Sequence, residues 1–438
     1  MPLDILIVGA GVCGPALATL LLRAAAGHRI TVVERCDALR TGGQQIDLRA
    51  QGIPVMRKLG LLDAVREVCV HERGVAFVDK RGSAKFQVDV NDSGKGGQGL
   101  TSEYEIMRGD LVRVLYEASL RASEAAAKKR GGGGGGGGVT YEFGVSVESI
   151  AQNENGDGGV DVKLSNGRQQ HFDLVVGADG QGSRTRRQAW GDAAGRAAFH
   201  TLHSYGAYFT IPRDDAHDSD VAVVHHLSGR RMIVFRSNNR PDTQCYLFCN
   251  DGAQAATLRD ATGATGKKSV AERKQIWREF FEDSDAWCRE RVFAGLEGTE
   301  DFYAHEAGQV KMGSWSKGRV VLLGDAGYCP SPISGCGTTA SLVGAYVLAG
   351  ELARHQDDVG AALAGYDRVL RPFIDEVQAL MPGAPTIGAP QTDWGIWFLH
   401  SLGKFVTTLK IDKLALSLMP EGKGGIPLPE YPELKLAE

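Results

Sequence analysis

The first residues with a clear pattern are Ile5-Leu6-Ile7-Val8, four apolar positions in a row. A run without polar interruption is what a parallel strand covered on both faces requires. An Ala/Leu-rich stretch over 15–26 then reads as a helix, and Thr31-Val32-Val33-Glu34 as the next strand. Together they form a β-α-β unit of about thirty residues. Helical patterning follows over 51–70 and, more strongly, over 110–129, and strands resume at 139–150, 160–164 and 172–176. From 203 to 249 the style changes. Alternating segments such as Arg231-Met232-Ile233-Val234-Phe235-Arg236 predict half-buried strands of an antiparallel sheet forming a second domain. Arg319-Val320-Val321-Leu322-Leu323 returns to the buried-strand style of the N-terminus, and a long apolar helix is expected over 338–353. The first domain is therefore discontinuous in sequence.

Composition narrows the function classes. The chain has 438 residues, 43% of them hydrophobic and 23% charged, with a net charge of -4, so it carries no basic surplus for nucleic acid. Its length suits two domains and a buried cofactor. The eight cysteines (13, 36, 69, 245, 249, 288, 329 and 336) contain no Cys-x-x-Cys pair, and no clustered histidines accompany them. Reduced core residues and no metal site are the expectation. A strand starting at residue 4 leaves no room for a leader, which predicts a cytoplasmic setting. Asn91-Asp92-Ser93 is then a chance glycosylation match. The glycine run 131–138 reads as a flexible surface insertion rather than a phosphate loop.

Three segments carry the chemistry. Gly9-Ala10-Gly11-Val12-Cys13-Gly14 follows a strand and opens a helix, the context in which glycines permit a tight turn and close approach of a pyrophosphate. Helix-start amides and dipole add affinity for anionic charge. Glu34 lies twenty residues on, at the end of the next strand, where a carboxylate accepts hydrogen bonds from adenosine ribose hydroxyls. The same spacing in Gly94-Lys95-Gly96-Gly97-Gln98-Gly99 has no preceding strand and is a false match. The second segment, 173–186, repeats strand, Asp179-Gly180 turn and helix start. The third, 318–326, places Asp325 at the carboxyl end of a buried strand, where open α/β sheets bind ligands. Beyond it, Gly335-Cys336-Gly337 precedes the long helix, whose N-terminus suits the negative charge that a reduced flavin carries at its pyrimidine edge. The three segments together read as one FAD cradle. Cys329 and Cys336 flank this last turn and read as packing residues rather than a redox pair.

These motifs resemble the single-component FAD-dependent aromatic hydroxylases, the class A flavin monooxygenases of the para-hydroxybenzoate hydroxylase superfamily. The likeness is greatest to the tetracycline-inactivating monooxygenases and fungal natural-product relatives, and it covers most of the chain. Matching positions are Gly9, Gly11 and Gly14 with Glu34 and Arg35, Asp179-Gly180, Gly324-Asp325-Ala326, Arg40 and Asp47 in 39–48, and Arg108 in 106–111. The resemblance implies an α/β fold with a Rossmann-like FAD-binding domain (1–75, 106–190 and 301–385), an antiparallel-sheet substrate domain (76–105 and 191–300) and a C-terminal helical segment (386–438). It implies FAD contacts from Asp47, Arg108, Asp325 and the glycine turns, a role for Asp179 toward FAD and the pyridine nucleotide, and an approach of NADPH or NADH to Arg40. It further implies flavin reduction, a C4a-hydroperoxide, and hydroxyl transfer to an electron-rich aromatic or polycyclic natural product. A usual Gly-Asp-Ala-Ala-His becomes Gly324-Asp325-Ala326-Gly327-Tyr328 here.

Substrate-side candidates are the polar members of the expected sheet, Tyr208, His225, His226 and Arg236, any of which could orient or deprotonate a phenol. Adjacent strand residues point to opposite faces, so the histidine pair is no metal site. A single well-placed fingerprint disfavours two-nucleotide-domain enzymes, and the absence of a close cysteine pair disfavours disulfide reductases. Two alternatives stay open: a flavin or pigment binder without turnover, and a flavin-dependent halogenase, although Trp394-Gly395-Ile396-Trp397 has the wrong spacing for the latter. The stretch 394–419 predicts an amphipathic helix that bridges the two domains or lies on a membrane; no run approaches the ~18 residues of a span. A monomer or weak dimer is expected, with a small aromatic molecule and oxygen as partners.

Overall fold

The computed structural model describes residues 2–24, 27–40, 42–89, 104–129, 137–152, 158–238, 240–250, 252–263, 266–409 and 426–436. The glycosylation match, the false fingerprint at 94–99 and most of the glycine run (131–136) lie outside them.

The N-terminal β-α-β unit nucleates a six-stranded sheet in the order Ser316–Lys317, Val320–Leu322, Leu174–Gly177, Asp4–Val8, Arg29–Glu34, Gly138–Phe143, parallel except at the first edge pair. Its registers set Val8 beside Gly177 and Val33, and Gly177 beside Leu322, so the carboxyl ends of three strands align and their loops emerge together. One face packs Ile5, Ile7, Val32 and Val176 against helices Cys13–Arg23, Arg108–Lys129 and Gly337–Arg354. The other packs Leu6, Val8, Val33 and Val175 on a three-stranded meander through Val160, Val162 and Phe172. This two-sided cover explains the uninterrupted apolar runs.

A seven-stranded sheet follows the order Tyr303–Val310, Phe199–Pro212, Asp242–Cys249, Arg231–Arg236, Val221–Leu227, Gly74–Val78, Ala84–Asp89. The boundary expected at 301 is displaced, because Tyr303–Val310 pairs antiparallel with Phe199–Pro212. Next to the other edge, Gly74–Val78 joins parallel to Val221–Leu227. Phe209, Ile211, Ile233, Phe235, Cys245 and Leu247 fill one face, against helices Val270–Phe280 and Ala286–Gly298. Alternation sends Tyr208, Tyr246, Phe248, Met232, Val234 and Val224 to the other.

A short ribbon, Gln45–Asp47 paired with Glu105–Met107, lies between the two sheets. The helical pattern over 51–70 resolves into Gly52–Lys58 and Leu62–Arg66, separated at Gly60. Residues 388–391 dock on the turn after Val221–Leu227 through Gly229 N–H to Gln391 O and Arg230 N–H to Pro390 O, 2.9 and 3.2 Å. Helix Asp393–Thr408 then packs on Ala84–Asp89 and Val221–Leu227, with the Phe86 ring against Gly403. Residues 426–436 return to the first domain, where Tyr431 donates to Glu351 Oε1 at 2.7 Å. No described helix is long and apolar enough to cross a membrane, and the described residues contain no metal-binding group of His, Cys, Asp or Glu.

Candidate active site

The aligned strand ends bring the three segments into contact. Gly9 has φ of +115°, and a Cβ there would meet Ala178 O at 2.5 Å, which locks the first turn to the second segment. A Cβ on Gly324 would collide with Cys13 Sγ, which locks the third segment to the first. Glu34 accepts the Ala10 and Cys36 amides at 3.0 and 3.1 Å, one on each carboxylate oxygen, leaving a lone pair on each for ribose hydroxyls. Arg35, beside it, is exposed.

The helices at this junction begin uncapped. Val12 and Cys336, the N-caps of Cys13–Arg23 and Gly337–Arg354, make no side-chain cap bond, and no acidic residue lies in either first turn. In front of Gly11 the nearest atom is Arg108 Nη2, 3.8 Å from a Cβ position, and in front of Gly337 there is open space. Free amides facing room that a side chain would fill fit a dinucleotide with an anionic pyrophosphate and a charged ring edge.

The flanking charges converge on the same place. Arg108 starts its helix between Gly11 and Gly43. Asp325 is partly buried; lost hydration raises its carboxyl pKa, against the opposing pull of a Cys329 hydrogen bond and the Arg108 charge. Asp47 accepts from Arg49 Nε at 2.6 Å. Arg49 in turn brings Nη1 to 3.7 Å from a Cβ position on Gly335, and its carbonyl accepts from Thr339 Oγ1 at 2.7 Å. The ribbon is thus docked on the start of the long helix. Asp179 is used within its own segment: Oδ1 accepts from Ser183 Oγ at 2.5 Å, and Oδ2 from the Arg184 and Thr185 amides at 2.8 and 3.0 Å. Tyr328, where the resemblance leads one to expect histidine, turns into the core, its hydroxyl accepting from Tyr366 at 2.8 Å. A bulky ring there is accommodated because position 344 is glycine.

Across from this cradle stands an aromatic wall. Tyr208 stacks on His305 (centroids 5.3 Å, 8° between planes) and lies near Tyr303, with Tyr246 and Phe248 edge-on at 4.9 and 5.7 Å. Arg40 caps the wall with its guanidinium 5.4 Å from the Tyr303 centroid. The Gln45 amide donates to Tyr246 Oη at 2.9 Å, and Gln181 Nε2 donates to Glu306 O at 2.7 Å, which seats the sheet against both ribbon and second segment. Burial drives the Tyr208 phenol well above its ordinary pKa and Tyr246 to about 12, so both stay protonated. Burial, helped by Arg108, pushes His305 down to about 4, so its imidazole is neutral. Farther along, Phe77, Val224, Met232 and Val234 continue the wall as an apolar surface.

Three sequence candidates are not brought to this place as free groups. His225 points to the helical side of the sheet, where Nε2 donates to Asp285 Oδ2 at 2.9 Å beneath Trp287. Arg236 faces the right side, but its guanidinium is engaged by Glu72 and Glu105. His226 lies at the far edge, bonded to His400 at 3.1 Å and to Gly388 O at 3.0 Å. His225→Ala is accordingly expected to leave kcat/KM within about twofold while costing about 1–3 kcal/mol of stability, read as a lower melting temperature. Tyr303, His305, Tyr246, Phe248 and Arg49 were not singled out by sequence reading. The i, i+2 aromatic pairs Tyr303/His305 and Tyr246/Phe248 are the signal that marks them as one face of a strand.

The comparisons agree with this geometry. The FAD binding domain family matches residues 2–378. The chain is 43% identical over 441 residues to FAD-dependent monooxygenase asL6 of Sarocladium schorii, covering 99% of each. Among solved structures it is similar to tetracycline destructase Tet(51), with a TM-score of 0.74 and 27% identity over 98% of this chain and 100% of that one. It also shares its fold with Klebsiella pneumoniae HpxO complexed with FAD and uric acid, with a TM-score of 0.65 and 19% identity over 95% and 97% of the two chains. Cradle and matches together place the chain in the class A flavin monooxygenases of the para-hydroxybenzoate hydroxylase superfamily: it is an FAD-dependent monooxygenase.

Proposed function

We propose that this monooxygenase draws electrons from NADPH or NADH and hydroxylates an electron-rich aromatic or polycyclic natural product. The observation that carries the reading is the stacked, largely apolar wall of Tyr208, His305, Phe248, Met232 and Val234 opposite the cradle. Planar ring systems bury well on such a surface.

Bound FAD supplies hydride acceptance and the activation of oxygen. The chain's residues do the rest. Amides of Gly11–Cys13 and the start of Cys13–Arg23 hold the pyrophosphate, Glu34 the ribose, and Asp325 the ribityl hydroxyls. Amides around Gly335 to Thr338 stabilise negative charge on the pyrimidine edge. Arg40, exposed at the rim, meets the reductant. Tyr208 and Tyr246, protonated, donate hydrogen bonds to the substrate, and the neutral imidazole of His305 accepts a hydrogen bond from a substrate hydroxyl. The apolar wall keeps water from the reacting centre.

Asp325→Ala is expected to weaken FAD about tenfold or more through loss of a charged acceptor, measured by flavin fluorescence on dilution. Full retention would remove Asp325 from the site. The reaction is tested by screening phenolic and polycyclic compounds for stimulated NAD(P)H oxidation with mass detection of products. Tight FAD binding with no compound accelerating NADPH or NADH consumption would leave a flavin binder without turnover.

A further inference from the structure

One buried charge cluster joins the substrate wall to the cofactor ribbon. Arg236, on the wall face of its strand, bonds Glu72 through Nε (3.1 Å) and Nη2 (2.5 Å), and the same Nη2 reaches Glu105 Oε1 at 3.1 Å. The side chains are 14%, 1% and 4% exposed, so solvent screens them little. Glu105 opens the strand that ends at Met107, one residue before Arg108, and its register partner is Asp47. Its other carboxylate oxygen accepts from Gln45 Nε2 at 2.7 Å, and Asn238 Nδ2 donates to Gln45 Oε1 at 3.3 Å. Both strands of the ribbon, and with them Asp47, Arg49 and Arg108, are thereby tied to the sheet that carries Tyr246.

We infer that Arg236, with Glu72 and Glu105, is a positioning clamp that sets the cofactor-facing ribbon against the substrate wall. This role rests on the cofactor site proposed above but adds a function which that site does not require. Two buried carboxylates share one guanidinium, so the clamp is complete when one of them carries a proton. The described charged and titratable groups facing Glu105 are Arg236, Glu72 and Asp47, with the Tyr246 phenol close to Arg236. Burial first, then Glu72 and Asp47, raise the Glu105 carboxyl to about 8 against the pull of Arg236.

The sign follows from linkage. A carboxyl raised in the folded state contributes stability that is complete below its ordinary value and is lost as pH rises through about 8. Loss of the clamp loosens the ribbon that carries Asp47 and leads to Arg108, so FAD-loaded enzyme should release flavin more readily with rising pH, its dissociation constant increasing at least about threefold from about pH 6 to about pH 9. Glu105→Gln removes the charge and keeps one acceptor oxygen for Arg236 Nη2, so its curve should be flat over that range. Arg236→Met strands two carboxylates and should lower the melting temperature by about 5–10 °C. Should it fail to fold, Glu105→Gln still decides the question. Superimposable pH curves for wild type and Glu105→Gln, or an unaltered Arg236→Met protein, would overturn the clamp. Asp325→Ala separates the two readings, because it should weaken FAD at every pH without flattening the curve. Weakened FAD in that variant, together with an unchanged curve in Glu105→Gln, would sink the clamp and leave the cofactor site standing.

Discussion

Gly14→Ala is expected to abolish FAD loading, with affinity falling roughly a hundredfold or more, equivalent to about 3 kcal/mol. A Cβ at position 14 would lie well inside contact distance of the Gly9 carbonyl oxygen and 3.3 Å from Ile7 Cγ2. Neither neighbour has room to yield. Gly9 is held by its amide to Val33 O at 2.8 Å and by its close approach to Ala178, and Ile7 is fully buried in the sheet. The turn would have to open, which moves the amides of Gly11 to Cys13 away from the pyrophosphate. Alanine also has the better helix propensity, so the helix itself should persist. The checks are flavin absorbance per polypeptide and far-UV circular dichroism. Full flavin content in the variant would mean that the first segment does not hold the dinucleotide.

Arg186→Met should cost about 3–5 kcal/mol of folding stability, read from the urea midpoint. Arg186 is 2% exposed, and its guanidinium donates to three carbonyls: Gly195 O at 2.9 Å, Ala326 O at 2.7 Å and Gln181 O at 2.7 Å. Those acceptors belong to the second segment, the helix that follows it, and the residue next to Asp325. Methionine preserves much of the volume and none of the donors, so three carbonyl oxygens lose their partner. Because Ala326 adjoins Asp325, FAD affinity should fall together with stability. A loss under about 1 kcal/mol would show that water replaces the guanidinium without penalty.

The cradle was legible in the sequence because each of its three parts is local. A buried strand, a glycine turn and a helix start occur within about fifteen residues, and parallel pairing of the strands then brings the turns together. The wall was legible only in part. Alternation along Arg231–Arg236 correctly separates two faces, but nothing in a single strand says which face meets the cofactor. His225 was therefore drawn in although it bonds Asp285 on the helical side. Residues 301–385 are expected in the FAD-binding domain, yet Tyr303–Val310 pairs with Phe199–Pro212, about a hundred residues upstream, and short-range pattern carries no information on such contacts. Arg236 illustrates the same limit. Its strand position was readable, yet its meaning depends on Glu72 and Glu105, which arrive from another part of the chain. Tyr328 stands where the motif leads one to expect histidine, and the glycine at 344 that admits its ring lies in a different helix.

The most direct measurement is a turnover under heavy-isotope oxygen gas with NADPH or NADH and a responsive phenolic substrate, followed by mass analysis of the product. One labelled oxygen atom should appear in the product for each reduced nucleotide consumed in coupled turnover. Label drawn from water, or reductant consumption that no aromatic compound stimulates, would contradict the assignment of this chain as a hydroxylating monooxygenase.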